Sequence, residues 1–364
     1  MKVGILGGGQ LARMMALSCH SLGIEPYIVN DKLDCPSKGL SNLLVTEYLE
    51  LDKISSFLSN CEAITYEFEN IPLELVEALS KSNIPLYPGV KALSTTRERV
   101  REKSFARDIG IPVPNFIYAD EPKDLLSKSS NFNFPGIIKT NSSGYDGKGQ
   151  WSVDSYSHFE SILADITNCP LILEEKIKFD KEFSLIGVRD RLGNIQFYNP
   201  CENTHSQGIL IKTRVGTIPN DSSAFSQASG YVRLLLEALD YVGVLSVEFF
   251  QVGDYLMFNE YAPRVHNSGH WSIEGAYTSQ FENHIRAICG LPLGSTELIK
   301  PSLMLNLLGT KGNEIELLKY PNLNYHWYAK SEISGRRKVG HITVLGEDNS
   351  SLDAAEKVLL PLIC

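Results

Sequence analysis

The chain lacks the marks of several large protein classes. It has no Cys-x-x-Cys pair, and its seven cysteines (Cys19, Cys35, Cys61, Cys169, Cys201, Cys289, Cys364) are an odd number scattered through 364 residues. That pattern points away from a disulfide framework or a zinc site and toward a reducing compartment. Basic residues are not in excess: 34 Lys and Arg against 43 Asp and Glu give a formal net charge of −9. No general affinity for nucleic acid or for an anionic membrane surface is expected, while a local basic pocket stays compatible with the balance. No apolar run approaches the roughly 20 residues that span a bilayer. The opening MKVGILGGGQ is interrupted by glycine too early for a signal sequence and reads as a first strand. A cytoplasmic location is expected.

What is present is ordinary globular material. Hydrophobic residues make up 43% and charged residues 21%. The length calls for two or three packed domains. Lys2 to Leu6 reads as a buried strand, Gln10 to Leu22 as a helix, and Glu25 to Val29 and Ala63 to Tyr66 as further strands. Such alternation predicts a doubly wound parallel sheet. IPLYPGVKAL, rich in turn residues, marks the exit from that unit, and a helix runs from about Arg97 to Ile109 before Gly110 and Pro112. GIIKT, GKGQWSV, LILEEKI and FSLIGVRD then read as short strands of an antiparallel α+β unit. SVEFF and YLMFNEY form a hairpin around Gly253 and Asp254. The last seventy residues carry more short strands and a helix near Leu352 to Leu360.

Several groups carry chemistry. Gly7-Gly8-Gly9-Gln10-Leu11-Ala12 fits G-x-G-x-x-G/A between strand and helix, with Asp31 about 20 residues on. Free N–H groups at the helix N-terminus would receive a phosphate there, whether of a dinucleotide or of a monophosphate. The stretch Gly144-Tyr145-Asp146-Gly147-Lys148-Gly149-Gln150 follows the strand bearing Lys139. Its glycines and lysine suit a flap over phosphate oxygens and not a Walker A loop. Glu248 and Glu260 occupy apolar strands, where a carboxylate is costly unless paired or bound to metal. Mg²⁺ carried by a nucleotide would resolve their repulsion, and salt bridges to Arg264 or Lys139 are the structural alternative. Arg264, His266, Asn267 and His270 form a dense polar run suited to a small oxyanion. Lys330 and the run Arg336-Arg337-Lys338 make a late basic cluster.

Together these residues resemble the ATP-grasp superfamily and, within it, the N5-carboxyaminoimidazole ribonucleotide synthase family. GGGQLARMM, TYEFENIP, SSGYDGKGQW, NEYAPRVHNSGHW and HWYAKSEISGRRKVGH carry the resemblance, in family order over nearly the whole chain. It implies a Rossmann-like substrate-phosphate domain (1–98), an ATP-grasp lid (99–185), an ATP-grasp metal and catalytic subdomain (186–294) and a small β-rich C-terminal domain (295–364). It implies an ATP-dependent ligase that carboxylates 5-aminoimidazole ribonucleotide with bicarbonate through carboxyphosphate, in de novo purine biosynthesis. ATP would meet Arg99, Lys139 and the Gly144 to Gln150 flap. Glu174, Glu175, Lys176 and Ile177 would form the adenine hinge, with Glu182 on the ribose and His205, Asn259 and Glu260 nearby. Glu248 and Glu260 would ligate Mg²⁺, and Arg264, His266, Asn267 and Tyr145 would serve catalysis. The ribonucleotide would meet Gly9, Gln10, Leu11, Glu67, Glu69, Lys330 and Arg337. A homodimer is also implied. The rivals are another ATP-grasp ligase, such as a formate-dependent transformylase, which would lack NEYAPRVHNSGHW, and a nicotinamide-dependent oxidoreductase, which leaves the flap and the carboxylate pair unexplained.

Overall fold

Four parallel strands open the chain: β1 (Lys2–Leu6), β2 (Glu25–Asn30), β3 (Asn42–Val45) and β4 (Ala63–Tyr66), in the order β3-β2-β1-β4. The computed structural model describes residues 1–142, 149–167 and 169–363. In β1, Val3 to Leu6 are all buried, as expected of a parallel strand covered on both faces. The helix Gln10–Ser21 buries Leu11, Met14, Met15 and Cys19 from one face. It packs against a second helix, Gln280–Cys289, which belongs to the main body of the protein.

A four-stranded antiparallel sheet follows: β5 (Phe116–Ala119), β6 (Gly136–Thr140), β7 (Gln150–Val153) and β8 (Leu171–Glu175), in the order β5-β8-β6-β7. Ala119, Leu125, Ile138, Val153, Phe159, Leu163, Leu171 and Leu173 form its own small core. A core of this size supports only a modest body, consistent with a lid laid over a larger one.

The largest sheet has nine strands: β9 (Lys181–Arg189), β10 (Ile195–Phe197), β11 (Cys201–Ser206), β12 (Ile209–Val215), β13 (Gly243–Val252), β14 (Tyr255–Ala262), β15 (Ser302–Leu308), β16 (Leu323–Trp327) and β17 (Lys338–Leu345). Their order is β14-β13-β9-β11-β12-β15-β17-β16, with β10 on β9. Two features differ from the expected division. Residue 185 lies inside β9, so the lid's sheet ends at Glu175 and the body begins at Lys181. Lys212 to Val215 of β12 pair with Ser302 to Leu305 of β15, so the C-terminal strands extend the body's sheet instead of standing apart. The predicted hairpin is present, with Glu248 directly opposite Glu260 and a bulge after Glu248.

His284 ties the first sheet to the body. Its Nδ1 accepts from the Val244 N–H at 3.0 Å, which fixes the proton on Nε2, and Nε2 meets Thr65 Oγ1 at 2.8 Å. Gly243 makes room for this ring: its φ is +114°, and a Cβ there would lie 2.9 Å from His284.

Candidate active site

A cavity of about 650 Å³ opens where the first sheet, the lid and the body meet. Gly9, Gln10, Leu11, Glu67 and Glu69 reach it from the first domain, and Lys139 and Gln150 from the lid. Arg99 comes from the connecting helix Arg99–Asp108, and the body supplies Glu182, His205, Glu248, Asn259, Glu260, Arg264, His266 and Asn267. Residues from the first loop to the last strands thus face one space.

The first loop is not an empty anion cradle. The Glu67 carboxylate caps the helix Gln10–Ser21, accepting from Gly9 N and, at 3.0 Å, from Ala12 N. Gly9 must be glycine for this approach, since a Cβ would lie 2.6 Å from Glu67 Oε1. Gly8 N donates to Asn30 Oδ1 at 2.9 Å and Gly7 N to Val29 O at 2.8 Å. That leaves the Gln10 and Leu11 N–H groups without an acceptor among the described residues. Burial raises the Glu67 carboxyl above the ordinary carboxylate range, against the pull of the two N–H groups, Arg264 and Lys330.

Two buried carboxylates near the cavity sit in contrasting environments. Glu174, on β8, is buried with its Oε2 at 2.8 Å from Lys139 Nζ and 3.3 Å from Lys103 Nζ. Burial opposes its ionisation, yet the two lysines hold its carboxyl at about 2. Lys103 also donates to Asn259 O at 2.9 Å, fixing the strand that carries Glu260. Glu248, by contrast, is 7% exposed and its carboxylate makes no hydrogen bond among the described residues; His266 Nε2 lies 3.8 Å from its Oε1. Burial, and then the facing Glu260, raise it to about 8. Glu102, which accepts from Tyr261 N at 2.7 Å, is likewise raised to about 8 by burial and then by Glu260. Glu260 itself meets Arg99, Nη1 to Oε2 at 3.3 Å. The partners are therefore Arg99 for Glu260 and Lys139 for Glu174; neither Arg264 nor Lys139 neutralises the carboxylate pair.

Glu182 and His205 lie beside Glu248. His205 Nδ1 is 3.1 Å from Glu182 Oε2, and the three residues bring one ligand atom each within 4.8 Å of one another. Burial works against a charged His205, but Glu182 and the nearby Glu248 and Glu260 outweigh it and raise its pKa.

The opposite wall is the polar run after β14. Arg264 forms a forked pair with Glu69, Nε to Oε2 at 2.6 Å and Nη2 to Oε1 at 3.1 Å. Burial pulls the other way, but this guanidinium keeps the Glu69 carboxyl below its ordinary range. His266 receives the Ser268 N–H on Nδ1 at 3.4 Å, which leaves its proton on Nε2, facing Glu248. Burial and the nearby Arg264 and Lys338 keep the ring neutral. Asn267 exchanges amide hydrogen bonds with Asn306 of β15 at 3.0 and 2.8 Å, so the C-terminal strands hold this polar run in place.

Other expected site residues lie elsewhere. Glu174 contributes to the cavity only through Lys139, Glu175 accepts from Asn115 at 2.9 Å, and Lys176 reaches Ser152 at 2.7 Å. None of Glu174 to Ile177 lines the cavity, nor does Gly149. Lys330 donates to Lys338 O at 2.6 Å. Arg337 is half-exposed and paired with Glu332 at 2.6 Å, and it is Lys338, the first residue of β17, that lines the cavity. Gly144, Tyr145, Asp146, Gly147 and Lys148 fall outside the described residues. Glu102, Lys103 and Asn306 carry no motif that singles them out, and Lys338 is legible only as one member of the late basic run.

Comparison with known proteins agrees with this geometry. A ribonucleotide synthetase preATP-grasp domain model matches residues 1–97, an ATP-grasp domain model residues 104–281, and a phosphoribosylaminoimidazole carboxylase C-terminal domain model residues 302–355. An N5-carboxyaminoimidazole ribonucleotide synthase of Pseudomonas aeruginosa is 40% identical over 354 residues, 97% of each chain. The crystal structure of N5-carboxyaminoimidazole ribonucleotide synthetase from Thermus thermophilus superposes with a TM-score of 0.93 at 42% identity, covering 99% of this chain and 98% of that one. The Aspergillus clavatus N5-carboxyaminoimidazole synthase in complex with ADP and 5-aminoimidazole ribonucleotide gives 0.87 at 28% identity, over 100% and 97% of the two chains. The chain belongs to the N5-carboxyaminoimidazole ribonucleotide synthase family of ATP-grasp ligases.

Proposed function

We propose that the chain carboxylates the exocyclic amine of 5-aminoimidazole ribonucleotide, using ATP and bicarbonate, in de novo purine biosynthesis, with the cavity residues in the following roles. A bicarbonate oxygen attacks the γ-phosphorus, ADP leaves, and carboxyphosphate forms. The amine then attacks the carboxyl carbon, phosphate leaves, and a proton is lost, giving the carbamate. Such steps need charge neutralisation and alignment more than a strong base.

The observation that carries this reading is a buried Glu248, its carboxylate without a hydrogen bond among the described residues, facing Glu260 in a cavity that Arg99, Lys139, Arg264 and Lys338 also line. A lone anionic pair there is unfavourable, and two carboxylates in that position fit a divalent cation. Mg²⁺ held by Glu248 and Glu260, with Asn259 beside them, would offset the charge of the triphosphate. Arg99 and Lys139 would grip its phosphates, with Gly144 to Gln150 closing over them and Glu182 and His205 on its ribose. Arg264, released in part from Glu69, would grip carboxyphosphate, while neutral His266 and the fixed amide of Asn267 donate to its oxygens. The ribonucleotide phosphate would sit on the Gln10 and Leu11 N–H groups with Lys330, and Lys338 takes the role expected of Arg337. Glu67 already fills the centre of the helix N-terminus, which leaves room for one phosphate and disfavours a dinucleotide. We adopt a cytoplasmic homodimer from the family resemblance.

ADP release is the test. ADP should form only with both bicarbonate and the ribonucleotide present, one carbamate per ADP. Turnover supported by formate, or saturable micromolar binding of NADH, would overturn the reading in favour of its rivals.

A further inference from the structure

The cluster of Glu182, His205 and Glu248 contains a donor that Mg²⁺ does not need. Hard Mg²⁺ prefers six oxygens and keeps several waters, whereas imidazole favours Zn²⁺, Co²⁺ and their neighbours. Two carboxylates and one neutral imidazole carry a charge of −2, which a divalent ion cancels. In a four-coordinate zinc site with bonds near 2.0–2.1 Å, neighbouring donors lie about 3.3–3.4 Å apart. His205 Nδ1 and Glu182 Oε2 stand at 3.1 Å, close to that spacing. The third donor is within 4.8 Å, and it is a buried carboxylate with no hydrogen bond to a described residue to give up. Glu248 can therefore swing inward at little cost, and the cavity leaves the fourth position open to water. Among the described residues, no other group of three such side chains meets this spacing.

We propose that in the nucleotide-free enzyme Glu182, His205 and Glu248 bind a divalent cation of borderline softness, such as Zn²⁺ or Co²⁺, and that this bound state excludes nucleotide. The exclusion rests on the placement of ATP proposed above; the cation site itself does not. The consequence is competition between such metals and Mg·ATP for one set of side chains, with His205 deciding which ion wins.

Co²⁺ is the probe, because four-coordinate Co²⁺ absorbs visibly and can be followed without turnover. Titration of the nucleotide-free protein should saturate at one equivalent, and Zn²⁺ should bleach the signal. His205→Ala and the near-isosteric Glu182→Gln, each checked for folding by circular dichroism, should raise the Co²⁺ Kd by at least about tenfold. Unchanged titration in both variants would place Co²⁺ elsewhere, on a cysteine for instance, and overturn the site. Mg·ATP should bleach the Co²⁺ band; a band that persists at saturating Mg·ATP would overturn the exclusion. Because ADP release judges the catalytic reading on its own, failure of the cation site and failure of that reading remain distinguishable.

Discussion

Glu174 and Glu248 are both buried glutamates on strands that flank the same cavity, and they could hardly differ more. Glu174 lies between Lys103 and Lys139 and is held at about 2; Glu248 faces another glutamate and is pushed to about 8. Burial acts on both in the same sense, so the difference comes from neighbours alone. The lesson is that a buried carboxylate held by the protein's own cations is settled within the fold, whereas one facing a like charge is completed by what the protein binds. Glu174 sets the posture of Lys139, the residue proposed to grip phosphate, and Glu248 is left for the cation proposed to complete the site.

The largest expected effect lies on the unbalanced side. Glu260→Gln should lower kcat by about 10²–10³-fold, the usual loss when one preorganised electrostatic partner is removed, with an unaltered circular dichroism spectrum. Near-normal turnover at ordinary Mg²⁺ would return the pair to a structural role.

Next comes Glu174→Gln, which strands two buried ammonium groups. Removing one partner of a buried pair costs about 3–5 kcal/mol, and denaturant unfolding should show a loss of that order. The same experiment on Glu248→Gln should show no such loss at neutral pH, because a carboxyl raised to about 8 is already mostly protonated there and a neutral amide replaces a neutral acid. Matching losses in the two variants would erase the contrast.

The pH dependence sharpens it further. A carboxyl whose folded pKa is depressed contributes stability above its unfolded pKa and loses it as pH falls. For Glu174 that loss runs from about 4.5 down to about 2. A carboxyl whose folded pKa is raised binds its proton more tightly when folded, so its contribution fades as pH rises. For Glu248 that window runs from about 4.5 up to about 8. Thermal stability of the nucleotide-free protein should therefore decline as pH rises through this window, and Glu248→Gln should shrink that decline while sparing the acid limb, the remainder coming from Glu102, which is raised to about 8 as well.

The smallest effect is expected at Arg337. Its exposed pair with Glu332 is worth about 1 kcal/mol or less. Arg337→Ala should leave both stability and the ribonucleotide KM near wild type, whereas Lys338→Ala should raise that KM while changing the ATP KM far less. A sharp rise for Arg337→Ala would show that the turn rearranges on substrate binding.

How much of this was legible in the sequence follows the range of the interactions involved. The hairpin that opposes Glu248 to Glu260 is local: two apolar strands around Gly253-Asp254 determine their own register. The helix after the glycine loop and the parallel strands were legible for the same reason. The pairing of β12 with β15 joins residues about 90 positions apart, and nothing in either strand names its partner. Charge partners are equally long-range. Arg99 to Glu260, Arg264 to Glu69 and Lys103 to Glu174 each follow from packing between elements, and a sequence shows only that charges exist. Lys338 opens β17 while Arg337 lies in the turn region before it, and the basic run alone does not show which of its members the strand carries into the cavity. Glu67 reads as one acid in TYEFENIP, and only the fold reveals it as the cap of the first helix.

Calorimetric titration of ADP, with and without Mg²⁺, into the wild-type protein and the Glu248→Gln, Glu260→Gln double variant tests the central claim most directly. If the facing carboxylates form a site completed by a cation, Mg²⁺ should tighten ADP binding to the wild type by at least about tenfold, roughly 1.4 kcal/mol, and the double variant should show no such gain. Equal Mg²⁺ dependence in the two proteins would contradict the account.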